Sequence, residues 1–435
     1  MQSRLPEVLF RWENWGKNLS KKFVLASLPT VREDCLAAVL YGEQRAEELQ
    51  LLREESGSLL GSIYVGKVEK ISKNMQAAFV RIGAGQNVYL PLEHIAQAVF
   101  KTRKKDAVLR AGDELLVQIE KEPMKGKLPR AAVNLHFPGR YMVLTTAEHS
   151  LCFSRKLSGA EKQRLRAVFP QKDMDYGVIV RTNAREASAG ELEAELGELS
   201  GILRRVRGQG ATRTCFSCVW QSKPLWVQEL NRIPFAELEE IVTDVPSVFE
   251  NLRQYLDEKN LTGTVSLRLY EDRLLPLYKL YSLETLLEGL LREKVWLKSG
   301  GFLMIQQTEA FVAVDVNTGR YMGKKEAEEA FYLMNLEAAR EIAAQIRLRQ
   351  LSGMILIDFI NMKDETKRTA LLEELRRLTA SDPVRTVVVD MTPLNIVEMT
   401  RTKERKSLQE QAAAFRGEQE QRNDTDRSEA KQNIV

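Results

Sequence analysis

Two short apolar runs in this chain each end in an aspartate: Phe311-Val-Ala-Val-Asp315 and Met354-Ile-Leu-Ile-Asp358. Runs rich in β-branched residues and bounded by polar ones read as buried strands. Between them, residues 324–350 place Phe331, Met334, Ala338, Ile342 and Ile346 at three- and four-residue spacing. That spacing predicts one long amphipathic helix, with Gly353 as its stop. Strand, helix and strand in that order predict a right-handed crossover with parallel strands. Both carboxylates then project from one sheet edge, where open α/β sheets hold their ligands.

Elsewhere the apolar runs are shorter. Residues 22–41 read as strand, turn and strand, closed by Gly42. Between Gly61 and Phe137 the runs 62–66, 77–82, 88–90 and 114–119 are broken by turn residues such as Gly83, Gly85 and Asn87. Several short strands without a long helix predict a small β-barrel. Residues 141–144 and 177–180 read as strands flanking a polar helix, and a second helix runs from Ala189 to about Val206. Residues 224–242 return to strand and helix, 267–270 form another strand, and 283–296 read as an amphipathic helix. From Lys403 charged and amide residues dominate, which predicts a frayed tail or a solvent-exposed helix.

Composition narrows the class. The chain has 435 residues, room for two to four domains, and its hydrophobic content of 44% supports real cores. A net charge of +4 is small. No apolar run reaches the ~18 residues of a membrane helix, so no membrane partner is expected. The first twenty residues hold no apolar signal core, and four cysteines in so long a chain make no disulfide framework. Both point to a cytoplasmic protein. The histidines are His94, His136 and His149, none in a His-x-x-x-His pattern, which argues against imidazole-based cleavage and a histidine-rich zinc site.

Candidate chemistry lies in three places. Asp315 and Asp358 side by side repel unless a cation lies between them, and hard oxygen ligands suit Mg²⁺, with Mn²⁺ as an alternative. Asn317, two residues on, shares a strand face with Asp315 and can orient a phosphate or a water. The plain reading is that these aspartates cap turns. In the barrel, Phe79 and Tyr89 near Lys67, Lys70, Lys73, Lys101 and residues 103–105 suit stacked bases and tracked phosphates; the plain reading is core and solvated surface. Arg181-Thr182, at a strand end, pairs a guanidinium with a hydroxyl, a combination that binds a terminal phosphate, though strand-end arginines are commonly just exposed. Cys215-Phe-Ser-Cys218 has no second pair, so zinc is not expected and two reduced thiols are.

Taken together, the segments resemble the ribonuclease E/G family over about residues 22–401. The marks are Ile63-Tyr-Val-Gly-Lys-Val, Ala77-Ala-Phe-Val, Tyr89-Leu-Pro-Leu, Lys121-Glu-Pro, Pro138-Gly-Arg-Tyr-Met-Val-Leu144, Val178-Ile-Val-Arg-Thr182, Asp315-Val-Asn-Thr-Gly-Arg320, Asn335-Leu-Glu-Ala-Ala, Ile346-Arg-Leu-Arg349, Ile357-Asp-Phe-Ile360 and Glu398-Met-Thr-Arg401. The resemblance implies an α+β and α/β multidomain fold. An N-terminal extension (1–21) precedes an RNase H-like domain (22–60 and 223–290), which is interrupted by an OB-fold RNA-binding barrel (61–137) and a 5′-sensor domain (138–222). A DNase I-like catalytic domain (291–404) and a charged tail (405–435) follow.

The resemblance further implies that Asp315 and Asp358 ligate Mg²⁺ and that Asn317 is the catalytic amide. It assigns Arg181, Thr182 and the backbone of Val143 to a 5′-monophosphate pocket, and Phe79, Tyr89 and Lys127 to RNA contacts in the barrel. The family's Cys-Pro-x-Cys zinc link is missing after Cys218, so a homodimer, if formed, lacks that staple. Asn361 stands where the family has a third acid, the Phe-Gly pair before Glu398 is absent, and Asn183-Ala-Arg-Glu replaces a glycine-containing turn.

The expected function is therefore a Mg²⁺-dependent endoribonuclease. It would cut single-stranded, A/U-rich RNA with a 5′-monophosphate preference, in ribosomal or messenger RNA processing and decay. The alternative is a non-catalytic RNA-binding protein on the same scaffold.

Overall fold

The computed structural model describes residues 21–43, 45–54, 59–102, 108–121, 128–147, 149–169, 174–259, 261–319 and 327–417. Lys127, residues 103–105 and the start of the long helix before 327 lie outside them. The chain divides into two compact units. One holds the described residues up to Glu54 and those from Phe235 onward, and the other holds the stretch between.

The first unit opens with an antiparallel meander of Lys21–Ser27 (β1), Cys35–Tyr41 (β2) and Ala46–Arg53 (β3). Phe23–Ala26 and residues 35–40 are buried without alternation, as befits strands covered on both faces.

The second unit starts with a barrel. Ile63–Ser72 (β4), Ala77–Gly83 (β5), Gln86–Pro91 (β6), Glu114–Lys121 (β7) and Arg130–Ala132 (β8) run in the order β4-β5-β6-β8-β7, and β7 pairs back onto β4 to close it. Ala78, Val80, Ile82, Val88, Leu90 and Val117 fill the interior. His136–Pro138 (β9), Met142–Thr145 (β10), Leu151–Phe153 (β11) and Gly177–Val180 (β12) form a four-stranded sheet ordered β11-β12-β10-β9. Gly159–Arg166 (α1) and Ala189–Thr212 (α2) both open with Ser–Glu capping boxes, at Ser158/Glu161 and Ser188/Glu191. α2 continues past the expected end near Val206. Cys218–Trp220 (β13) adds to β4, and Leu225–Leu230 (α3) ends the unit.

The chain then returns to the first unit. Leu238–Thr243 (β14), Pro246–Glu258 (α4) and Ser266–Leu269 (β15) make a parallel crossover that completes the five-stranded sheet β15-β14-β1-β2-β3. Leu277–Leu280 (α5) and Leu283–Leu291 (α6) follow. The helix expected over 283–296 therefore stops at Leu291. Lys294–Trp296 (β16) is instead a short edge strand, because it pairs with Phe302–Gln307 (β17). Tertiary pairing has overridden the local period.

Phe311–Asn317 (β18), Gly353–Asp358 (β19), Thr386–Met391 (β20) and Ile396–Arg401 (β21) complete a six-stranded sheet ordered β16-β17-β18-β19-β21-β20. Ala327–Leu348 (α7) links β18 to β19, and these two strands are parallel, as the crossover requires. α7 and Glu365–Ala380 (α8) cover one face, burying Leu303, Val314, Ile342, Ile355, Leu375 and Val397 in a common core. Gln350, not Gly353, takes the left-handed stop after α7, with φ 52°. There the Leu351 N–H reaches back to the Ile346 carbonyl.

Residues 408–417 form a further helix, α9. It is neither frayed nor wholly exposed: Leu408, Ala412 and Phe415 pack with Val24, Ala37 and Leu49. Gln411 accepts a hydrogen bond from the Leu51 N–H at 2.9 Å. A thin apolar stripe in a polar sequence was enough to dock it.

Candidate active site

The parallel register sets Asp315 directly opposite Asp358. Residues opposed in a ladder share a face, so the two carboxylates stand side by side on the face that α7 and α8 leave open, and both are exposed. Burial pushes the Asp358 carboxyl above its ordinary value, and the neighbouring Asp315 charge adds to the rise. The carboxylates are like charges on adjacent strands, and a hard divalent cation between them would offset their repulsion. Asn317 is on the same face. Its Nδ2 donates to Asp315 Oδ2 at 2.7 Å and so fixes the orientation of that carboxylate.

Backbone contacts explain the surrounding motif. A methyl group on Gly301 would lie 2.7 Å from the Asn317 carbonyl. Gly319, at φ 62°, lies so close to the Gly300 carbonyl that no side chain fits. Two close backbone approaches therefore seat the end of β18, and glycine is required at both. Beyond Asp358, the fully buried Asn335 of α7 donates to the Ile360 carbonyl at 2.8 Å and accepts from the Ile360 N–H at 3.0 Å. Glu328 accepts from the Lys363 and Asp364 N–H groups at 2.7 and 3.0 Å. Asn361 points its Oδ1 at Asn395 Nδ2, 2.9 Å away. Among the described residues, no three His, Cys, Asp or Glu side chains gather as a metal cluster. The donor set is thus two carboxylates with an amide. It fits a cation that keeps most of its ligands as water or substrate oxygen, as Mg²⁺ does.

In the barrel, register does what sequence spacing could only suggest. Lys70 is opposite Phe79, Phe79 opposite Tyr89, and Tyr89 opposite Arg130, a line across β4, β5, β6 and β8. The rings of Phe79 and Tyr89 meet edge to face with centroids 6.4 Å apart, half-buried on the outer surface. Arg130 was not singled out from sequence, because only the pairing of β6 with β8 brings it into the line. Lys101 is paired with Glu114 at 2.8 Å and lies elsewhere.

Arg181 and Thr182 follow the end of β12 in the second unit's four-stranded sheet, and Val143 lies inside the adjacent β10. Val143 is opposite Ile179, and the Arg181 N–H continues the ladder to the Tyr141 carbonyl at 2.7 Å. Arg181 Nη1 donates to the Gly139 carbonyl at 2.7 Å, and the Thr182 hydroxyl lies 3.0 Å from Ser154 Oγ. Ser154, at the end of the neighbouring strand, has no signal in the sequence.

Neither does Glu195, a buried carboxylate on α2. It accepts from the N–H groups of Arg140, Tyr141 and Met142 at 2.6, 2.7 and 3.0 Å. Gly139 leaves room for it, since a methyl there would be 2.6 Å from the Glu195 carboxyl carbon. The Pro138-Gly-Arg-Tyr-Met segment is therefore shaped by an acid more than fifty residues away. Cys215 and Cys218 are free, and burial pushes both thiols up, away from the thiolate form that binds zinc.

A closed five-stranded barrel of this strand order is the architecture of OB-type domains, many of which bind nucleic acid. Here it is joined to an αβ sheet bearing paired acids. Residues 60–129 match the S1 RNA binding domain, and residues 136–404 match the Ribonuclease E/G family. The chain is 32% identical over 375 residues to Ribonuclease G of Escherichia coli K12, covering 83% of this chain and 76% of that protein. Over 392 residues it is 32% identical to Ribonuclease G of Haemophilus influenzae, covering 87% and 79%. With Ribonuclease E of Synechocystis it shares 30% identity over 383 residues, 86% of this chain and 56% of that one. The chain belongs to the ribonuclease E/G family.

Proposed function

We propose that this protein is a Mg²⁺-dependent endoribonuclease acting on single-stranded RNA. The observation that carries the reading is the direct pairing of Asp315 with Asp358, with Asn317 hydrogen-bonded to the first. Asp315 and Asp358 would hold the cation, Mg²⁺ or Mn²⁺. When bound, it supplies charge neutralisation at the scissile phosphate and acidifies water. The chain's own part is positional. Asn317 locks the Asp315 carboxylate through one Nδ2 hydrogen; its carboxamide oxygen is on hand to accept from the attacking water, and its second Nδ2 hydrogen to donate to the phosphate.

The barrel line of Lys70, Phe79, Tyr89 and Arg130, with Lys127 beside it in sequence, holds the single strand. Stacking with little base-edge readout suits A/U-rich segments, which resist pairing. Arg181 and Thr182, with the Val143 backbone, receive a 5′-monophosphate, a role supported by an arginine fixed against a carbonyl beside two hydroxyls. The five-stranded sheet is read as RNase H-like and the six-stranded one as DNase I-like because the family resemblance implies those domains. We place the protein in the cytoplasm on four cysteines outside any disulfide, and its work in RNA processing and decay on its family. No described helix is long and apolar enough to cross a membrane. A homodimer is compatible with this reading, although the Cys-Pro-x-Cys motif that would link it through zinc is missing after Cys218.

The test is cleavage of a short A/U-rich RNA with a 5′-monophosphate, in Mg²⁺ and in EDTA, by wild type and Asp358→Asn. Metal-dependent cutting that Asp358→Asn loses, with RNA affinity kept within a few fold, supports the reading. Products ending in a 2′,3′-cyclic phosphate would overturn it. Tight binding without cutting would favour the non-catalytic reading, which the amide at Asn361 motivates.

A further inference from the structure

We infer that Trp296, Phe302 and Lys294 form a stacking subsite for one nucleotide of single-stranded RNA, on the same sheet face as the paired acids. It rests on the reading that RNA is cut at Asp315 and Asp358. Trp296 is opposite Phe302 and Phe302 is opposite Asn317, so these three form one line across β16, β17 and β18. Lys294, Met304, Asp315 and Asp358 form the next line. Residues in such lines share a face. Adjacent strands are about 4.8 Å apart, so Trp296 stands about 10 Å from Asn317, close enough for a base next to the scissile phosphate.

The chemistry of the cluster suits a nucleotide. The Lys294 ammonium lies 4.0 Å from the Trp296 ring centre and 3.9 Å from that of Phe302. The two rings meet at 5.5 Å, edge to face. Trp296 nevertheless remains 65% exposed, so the indole face turned away from Lys294 is open. An open indole face stacks any base, and an ammonium held between two rings is a fixed counter-charge for a phosphate. On this face the other charged strand residues described are Asp315, Asp358, Glu398 and Asp390, all acidic. Among the described strand residues Lys294 is the one cation on this face, and it offers a polyanion approaching the acids a counter-charge.

A purely structural clamp on an edge strand is the competing account, and substitution separates the two. An RNA series carries a single abasic nucleotide at successive positions around the cut. Both kcat/KM and RNA affinity are measured for wild type, Trp296→Ala and Trp296→Tyr. On the proposal, one abasic position lowers wild-type efficiency about 10-fold. The same position lowers Trp296→Ala no further, and Trp296→Tyr restores the wild-type pattern. Equal penalties in wild type and Trp296→Ala at every position overturn the subsite and leave the endonuclease reading intact. Should wild type cut nothing, that reading falls instead, and the same comparison is made on affinity, where equal penalties again overturn the subsite. Trp296→Leu, which keeps apolar cover without a π face, serves if the alanine variant fails to fold. Lys294→Gln should lower the salt slope of binding by about one, and an unchanged slope removes Lys294 from phosphate contact.

Discussion

Asn335 holds both backbone groups of Ile360, two residues beyond Asp358, through its own carboxamide. A buried side chain on α7 thus fixes where β19 hands over to the following loop, and with it the Asp358 carboxylate. Asn335→Ala leaves a buried N–H and C=O unpaired. We expect unfolding free energy to fall by about 2–3 kcal/mol and cleavage to fall by more than RNA affinity does. Urea titration and single-turnover cleavage check this. Equal losses in cleavage and affinity would mean that Asn335 does not position Asp358.

Glu195 takes three backbone donors at once, from Arg140, Tyr141 and Met142. Its neighbour Glu191 accepts from the Tyr141 hydroxyl, which burial and that bond push up to about 12. Glu195→Ala should destabilise the protein by at least about 3 kcal/mol. It should also blunt any preference for a 5′-monophosphate, because the same segment carries the Gly139 carbonyl that braces Arg181. Competition between 5′-monophosphate and 5′-hydroxyl RNAs measures this; an unaltered preference would detach Glu195 from the pocket.

Phe79 and Tyr89 face solvent from adjacent strands, so trimming Phe79 removes a stacking surface without opening the core. Phe79→Ala should weaken binding of single-stranded RNA about 10-fold while leaving urea unfolding nearly unchanged. Arg130→Gln should weaken it more at low salt than at high salt. Filter binding across a salt series reads both. Affinity within two-fold of wild type for Phe79→Ala would move the RNA to another face of the barrel.

Arg401 and Asp382 form a buried two-pronged pair at 2.8 and 3.2 Å, and Arg401 also donates to the Leu351 carbonyl at 3.0 Å. Burial works to raise the Asp382 carboxyl. Hydrogen bonds and charge from Arg401, with the Val384 N–H and the Thr386 hydroxyl, outweigh it and hold the group below its ordinary 3.8. A carboxyl lowered on folding stabilises the protein above its unfolded pKa, and that contribution is lost as pH falls through the folded value. Asp382→Asn should therefore lose about 3–5 kcal/mol at pH 7. The gap from wild type should narrow below about pH 4. Urea midpoints across pH 7 to 3 test this, and a constant gap would assign acid sensitivity elsewhere.

The paired acids were legible because every step toward them is periodic: two apolar runs, one amphipathic helix, and an acid closing each run. The barrel was legible for the same reason. Asn335 and Glu195 were not, since a polar residue in a helix reads as solvent-facing until the fold shows what it touches. Arg130 needed strand order, which no local pattern encodes. β16 was read as helix because three residues carry too little period to resist a neighbouring helical one. The docking of α9 depended on a partner sheet built from the far end of the chain.

That sheet also sets a schedule for synthesis. β3 ends at Arg53, whereas β14, the partner of β1, begins at Leu238. At roughly 5–20 residues per second, a ribosome takes about 10–40 s to cover that gap. Through that interval one edge of β1 waits without its parallel neighbour, while the intervening unit has time to fold on its own. A chain stalled or cleaved within that interval would expose a hydrophobic strand edge, so degradation of nascent fragments should be faster for breaks between Arg53 and Leu238 than for breaks beyond β14.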